Sequence, residues 1–225
     1  AEVTHQDCRT CHNIHMTWTE EDWALTTSDP VAVYAYEGVT YDGGSGNLCA
    51  NCHVPRRQIA EADADGNIEV TSTHWGPHHG PQAAVLMGLT GAGDAAEGSP
   101  SAHYSMVENT CVACHLGESD DHSFEPDVAA CLGCHADIED FDFSGLQTEV
   151  AEGLAQLEEL LVSKEMWEVA EDGSGHPVVG IYPAAEAQAL WNYITLAVED
   201  GSHGVHNPAY TRALLDWSIT ALGGE

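Results

Sequence analysis

The stretch CRTCHNIH, residues 8–15, decides the fold: two cysteines two residues apart, a histidine directly behind the second, and another histidine three residues on. The five-residue unit Cys8-Arg9-Thr10-Cys11-His12 recurs as Cys49-Ala50-Asn51-Cys52-His53, Cys111-Val112-Ala113-Cys114-His115 and Cys131-Leu132-Gly133-Cys134-His135, and the four copies use all eight cysteines. C-x-x-C-H is the attachment signature for c-type haem, in which the two thiols form thioethers with the vinyl groups on one porphyrin edge. The adjacent histidine is then set beneath the iron as its proximal ligand. Zinc knuckles and four disulfides compete for paired cysteines, but neither explains a histidine behind the second cysteine in every copy. The reading is therefore four covalent haem c groups with His12, His53, His115 and His135 as proximal ligands. Attachment of this kind takes place outside the cytoplasmic membrane, so the expected location is extracellular or cell surface.

Composition agrees with a chain that borrows its core. Across 225 residues the 22 glycines and several Asp/Ser/Gly stretches predict many turns, and the aromatic residues are scattered. Only five basic residues oppose 37 acidic ones, a formal net charge of −32, which excludes nucleic acid and anionic membranes as partners by repulsion. A hydrophobic fraction of 43% argues against disorder and leaves an acidic, halophilic type of surface. No run approaches the length of a membrane-spanning helix. The opening AEVTHQDC, without Met, is consistent with a mature terminus left by export.

The predicted fold class is a mostly irregular and α-helical multihaem cytochrome c, loops and short helices wrapped around four stacked haems. Residues 1–140 form the tetrahaem-binding region and 141–225 a helical C-terminal region that supplies a distal ligand, the two making one compact unit. The units are separated by 36, 57 and 15 residues, so the last two haems are expected to be close neighbours. At most a small β-hairpin is expected, at RQIAEADADGNIEVTST, with Asp65-Gly66-Asn67 as its turn. Beyond residue 143, apolar residues at helical intervals (Leu146, Val150, Leu154, Leu157, Leu161) predict an amphipathic helix with Ser144 as N-cap. PAAEAQALWNYITLAVED predicts a second, and NPAYTRALLDWSITAL a third, capped by Asn207 with Pro208 in its first turn.

Ten of the 14 histidines lie outside the proximal positions, and four suffice for bis-His ligation. His122 stands nine residues before Cys131, within reach of the third and fourth haems, and His103 stands eight before Cys111. His206 ends a Gly-rich turn just ahead of the Asn207 cap, and His78 lies in the constrained GPHHGPQA loop beside His79. For His5, His74, His176 and His203 an unligated surface role is favoured. Met16, Met87, Met106 and Met166 offer His/Met ligation, but spare histidines make bis-His haems of low potential the simpler expectation. EADADGNIE has the acidic spacing of a calcium loop, yet Ser72 occupies the position where that loop needs a bidentate acid; an acidic turn is preferred and calcium is a secondary expectation.

Taken together, HHGPQA, SAHYSMVENTCVACH, HSFEPDVAACLGCH and the closing YPAAEAQALWNYITLAVEDGSHGVHNPAYTRALL resemble the multihaem c-type cytochromes that include subunits of extracellular cytochrome filaments. The resemblance covers most of the chain from Leu48 onward. It implies that the histidines matching His78, His122 and His206 are distal ligands, and that haems stack in alternating parallel and perpendicular pairs. GVHNP also occurs in multihaem nitrite reductases. CRTCHNIH is similar to the start of filament subunits, where a histidine at the position of His15 ligates a haem in the adjacent copy; an intramolecular ligand and a surface side chain are the alternatives. The acidity exceeds that expected of bacterial members.

The resemblance implies electron transport by the repeating subunit of a conductive filament (a nanowire), with identical subunits head to tail and redox proteins or extracellular acceptors as partners. The alternatives are a monomeric extracytoplasmic tetrahaem carrier and a nitrite- or hydroxylamine-type enzyme. Catalysis of that type needs an iron with an open position, whereas all four units end in His and further candidates are in surplus, so the expectation is a protein that is not an enzyme.

Overall fold

A computed structural model of the chain describes residues 6–117 and 122–224. His5 lies outside the described residues. The N-terminal part is mostly loop, punctuated by α1 (Cys8–Cys11), α2 (Asn47–Ala50), α3 (Gln82–Leu86), α4 (Ala102–Met106) and α5 (Cys111–His115). The short strands β1 (Val31–Ala32) and β2 (Thr40–Tyr41) pair with each other, while β3 (Asn67–Val70) follows the acidic turn. The longer elements come last: α6 (Leu146–Ser163), β4 (Trp167–Val169), β5 (Gly175–Pro177), β6 (Gly180–Pro183), α7 (Ala184–Tyr193) and α8 (Pro208–Ala221).

The stripe read from the sequence is the buried face of α6: Leu146, Val150, Leu154, Leu157 and Leu161 are all buried. They pack with Leu190, Trp191 and Ile194, with Leu214 and Leu215 of α8, and with Ile68, Val70 and Trp75 from the earlier part of the chain. Trp75 meets Trp191 edge to face at 5.0 Å, and Trp191 Nε1 donates to the Thr90 carbonyl at 2.7 Å. A smaller core gathers Val31, Val33, Tyr41, Ala50, Val54, Ala83, Ala84 and Leu86.

Three expectations need correction. The predicted local hairpin is absent: the turn forms, with the Gly66 N–H on the Asp63 carbonyl, but β3 pairs antiparallel with β6, Ile68 opposite Tyr182. Burial of Ile68 and Val70 against α7 selects the distant partner over the local one. The described residues also form three two-stranded ladders, the third joining β4 and β5. Ser144 does not cap α6, since its φ of 57° points the chain away; the Asp142 carboxylate instead accepts from the Thr148 N–H (3.0 Å) and hydroxyl (2.7 Å).

The second predicted helix has two parts. After Tyr193 it widens into a π-helix, Ile194–Asp200, and stops at Gly201 in the left-handed conformation (φ 65°). The third helix begins as read, with the Asn207 side chain accepting from the Tyr210 N–H. The turn between them, 201–206, hangs between two fixed helix ends and carries His206.

Candidate haem sites

Each C-x-x-C-H unit winds into one helical turn. The N–H of the histidine returns to the carbonyl of the first cysteine in three copies, His12 to Cys8 (2.8 Å), His53 to Cys49 (2.9 Å) and His135 to Cys131 (2.9 Å), and the remaining copy is α5 itself. An i, i+4 relation stacks the first cysteine and the histidine on one face, with the second cysteine at i+3 beside them. All eight thiols are free, at odds with the disulfide alternative. Neighbouring units lie within electrostatic reach of one another. Cys49 is pushed up first by its hydrogen bond to Cys111 and then by burial, with Cys11 contributing, while Cys111 is pulled down to about 5 by the same bond. Cys114 is raised by burial and by Cys131 and Cys111.

The histidines sort into facing pairs. His12 faces His122 with ring centres 6.1 Å apart, His103 faces His135 at 6.3 Å, and His115 faces His206 at 6.4 Å. Two imidazoles on opposite sides of one iron, with metal–nitrogen bonds of about 2.0 Å and ring centres about 1.1 Å beyond each nitrogen, would stand about 6.2 Å apart. The observed spacings fit that arrangement.

The outer ring nitrogens fit it too. Nδ1 of His12 donates to the Trp23 carbonyl (2.7 Å), that of His115 to the Phe124 carbonyl (2.8 Å), and that of His103 to the Val205 carbonyl (2.6 Å). A carbonyl only accepts, so Nδ1 carries the proton and Nε2 keeps the lone pair a metal requires. His53 Nδ1 meets Gln82 Oε1 at 3.0 Å, and His206 Nδ1 meets Asp200 Oδ1 at 2.7 Å. Burial pulls the His206 pKa down, but the Asp200 charge and hydrogen bond outweigh it and the net shift is upward.

Apolar side chains near these histidines lack protein cover. Phe143, 43% exposed, lies 4.4 Å from the His135 ring, and Phe124, half exposed, stands 6.2 Å from His122. A flat apolar macrocycle would cover them, as a porphyrin does. The donor set, free thiols, tautomers and apolar walls all fit haem.

Two histidines face units other than those their sequence positions suggest. His122 faces the first unit and not the third or fourth, and His103 faces the fourth although it precedes the third in sequence. Long-range backbone contacts set these partners: the 122–124 segment presents His122 to His12 and the Phe124 carbonyl to His115 together, and the Val205 carbonyl fixes His103. His78 (φ 70°) packs on His79 at 5.0 Å, in a loop laid along the second unit, with the Arg56 N–H on the Pro77 carbonyl (3.1 Å) and the Ala83 N–H on the His53 carbonyl (3.1 Å). Among the described residues no ring faces His53 as His122 faces His12.

His15 is exposed, has a φ of 61°, and rests its ring on Trp18 at 4.8 Å. Its loop is clamped by the buried Asp22 carboxylate, which accepts the N–H groups of His15, Met16, Thr17 and Trp18 and the Thr17 hydroxyl at 2.7–3.1 Å. Those donors, the Thr17 N–H foremost, hold the carboxyl below its usual range against the upward pull of burial. Met16 and Trp18 are more than 70% exposed. The acidic turn shows Asp63 spending one oxygen on the N–H groups of Asp65 and Asn67, the bonding of an Asx turn, and no cluster suited to a metal ion occurs among the described residues. Sequence reasoning missed Asp22, Gln82 and Asp200. Nothing in the local sequence marks them, since acidic residues are everywhere in this chain.

No protein-family model matches the chain, and none of the curated proteins does. No described helix is long and apolar enough to cross a membrane. Among solved structures the chain is similar to the crystal structure of outer cell wall cytochrome OcwA, with a TM-score of 0.50 and 24% sequence identity. The match covers 79% of this chain but 34% of that one, so the chain spans about a third of that protein's length. The likeness is one of fold, shared with part of that cytochrome.

Proposed function

We propose that this chain is an electron-transfer protein carrying four covalent bis-His haem c groups, and that it acts outside the cell as the repeating subunit of a cytochrome filament. The observation that carries the haem reading is the set of three histidine pairs at 6.1–6.4 Å, each pairing a C-x-x-C-H histidine with one from a distant segment. Cys8, Cys11, Cys49, Cys52, Cys111, Cys114, Cys131 and Cys134 would hold the porphyrins. His12/His122, His115/His206 and His135/His103 would bind three irons, and His53 one side of the fourth. Residues 1–140 would form the haem-bearing region, with 141–225 contributing His206.

A haem iron supplies a one-electron couple; the protein's part is to hold it six-coordinate, shielded and near the next. The carbonyl-bound imidazoles fix ring orientation, and the 122–124 segment, which serves His12 and His115 together, supports neighbouring sites in one relay. A chain whose irons are all saturated transfers electrons without binding substrate, which favours a carrier over a reductase.

The second imidazole for the His53 iron comes from His78 on the adjoining loop, as the resemblance implies, or from His15 of the next copy. The Asp22 clamp supports the second source, because it holds an exposed His15 beside exposed Met16 and Trp18. Such a contact is head to tail and propagates into an open fibre.

The test is the purified holoprotein in molar salt. Mass spectrometry is expected to show four haems, the reduced spectrum to lack a methionine-ligand band, and electron microscopy to show fibres. His15→Ala is expected to abolish the fibres with all four haems attached. A monodisperse monomer would reduce the reading to a soluble carrier, and strong carbon monoxide binding by the reduced fibre would turn it to an enzyme.

A further inference from the structure

Among His12, His53, His103, His115 and His206, the outer ring nitrogen of His206 meets a charge. His12, His115 and His103 donate Nδ1–H to neutral backbone carbonyls and His53 faces a neutral amide oxygen, whereas His206 donates to the Asp200 carboxylate at 2.7 Å. The Asp200 side chain is only 1% exposed. Its other oxygen accepts from the Ser202 hydroxyl (2.5 Å) and the Ser202 N–H (3.3 Å). A chain of 37 acidic residues can leave nearly all of them in water, so burying one against a histidine is a specific arrangement.

The backbone makes that placement possible. Asp200 is the last residue of the seven-residue π-helix, closed by the Gly201 N–H on the Leu196 carbonyl (3.2 Å). π-Helical turns are uncommon and concentrate at functional sites. An α-helical continuation would turn residue 200 through a larger angle and carry its side chain off the His206 side. The rare geometry and the buried carboxylate thus converge on one imidazole.

We infer that Asp200 is a positioning residue that lowers the potential of the third haem, the one attached at Cys111 and Cys114. A carboxylate on Nδ1–H makes the imidazole more basic toward the metal on Nε2, and a more basic ligand stabilises the oxidised, more positive iron. This inference rests on the His115/His206 assignment proposed above.

Spectroelectrochemical titration of the tetrahaem holoprotein tests it. Asp200→Asn keeps an oxygen acceptor and removes the charge; it is expected to change the oxidised-to-reduced ratio at one site about tenfold, moving one midpoint up by about 59 mV. Ser202→Ala removes a donor from the carboxylate and leaves its charge more available to His206, so the same midpoint is expected to fall. A purely structural role would not produce shifts of opposite sign. Glu152→Gln, which removes an exposed charge on α6, is expected to leave that midpoint in place. Four attached haems with unmoved midpoints in Asp200→Asn, or equal shifts in Asp200→Asn and Glu152→Gln, would overturn the inference alone. Fewer than four haems in the unaltered protein, or a third haem without bis-His spectral character, would overturn the ligation reading and the inference with it.

Discussion

Asn207 is where stability and the His206 site meet, and its replacement by alanine has a calculable cost. The side chain is 2% exposed and makes three kinds of bond. Its oxygen accepts from the Tyr210 N–H at 3.3 Å and caps α8; its Nδ2 donates to the Val85 carbonyl at 3.1 Å and to the Ser99 carbonyl at 3.0 Å. Losing the cap costs about 1 kcal/mol. Each of the two lost Nδ2 hydrogen bonds adds about 1 kcal/mol, the net worth of a typical intramolecular bond. Asn207→Ala is therefore expected to destabilise the holoprotein by about 3 kcal/mol, read as a lowered urea midpoint with unchanged slope. Asn207→Asp retains the cap oxygen but turns a carboxylate toward two carbonyls, and should cost at least as much. The same Ala variant loosens the turn that carries His206, so the reduced protein should gain carbon monoxide binding at one haem in four. A change of less than 1 kcal/mol would show that the cap and the two cross-chain bonds do not hold this turn, and the reasoning would fail.

Other expectations concern the core, the acid limb and salt. Leu157, fully buried on α6 and remote from every C-x-x-C-H unit in sequence, should cost about 2–5 kcal/mol when replaced by alanine, with haem content by mass unchanged. Asp142 has its carboxyl held below the usual range by the Thr148 hydroxyl and N–H. Its contribution to stability is therefore complete above the unfolded carboxyl value of about 3.9 and is lost as pH falls through the lower folded value. Asp142→Asn should flatten that loss in unfolding curves recorded from pH 6 down to 2.5, and an unchanged acid limb would contradict the assignment. With a net charge of −32, the folded protein should gain thermal stability on going from 0.1 M to 1 M potassium chloride, as the screening length falls from about 10 to about 3 Å. A melting temperature indifferent to salt would mean that the acidic surface exerts little self-repulsion.

The C-terminal helices were legible because their signals are local. The Leu146–Leu161 stripe, the Asn207 cap and Pro208 all state their roles within one or two turns. Ser144 misled because a capping residue is defined by backbone geometry as well as by type, and at φ 57° its hydroxyl is not where the helix needs it. The hairpin reading failed for a different reason: the turn at Asp63–Asn67 is local, but strand partners are chosen by which apolar face gets buried.

By itself the sequence determined what each unit offers. Four C-x-x-C-H units bring two thiols and an imidazole within five residues each, a grouping one helical turn can hold without help from the rest of the chain. Pairing across an iron needs two imidazoles from opposite directions, and opposite directions are made only by the return path of the chain. Tertiary structure alone therefore decided that His122 faces His12 and His103 faces His135, and that Asp200 is buried against the ring of His206, a ligand candidate. Spacing along a chain measures reach, whereas ligation and second-sphere charge depend on direction, which packing supplies.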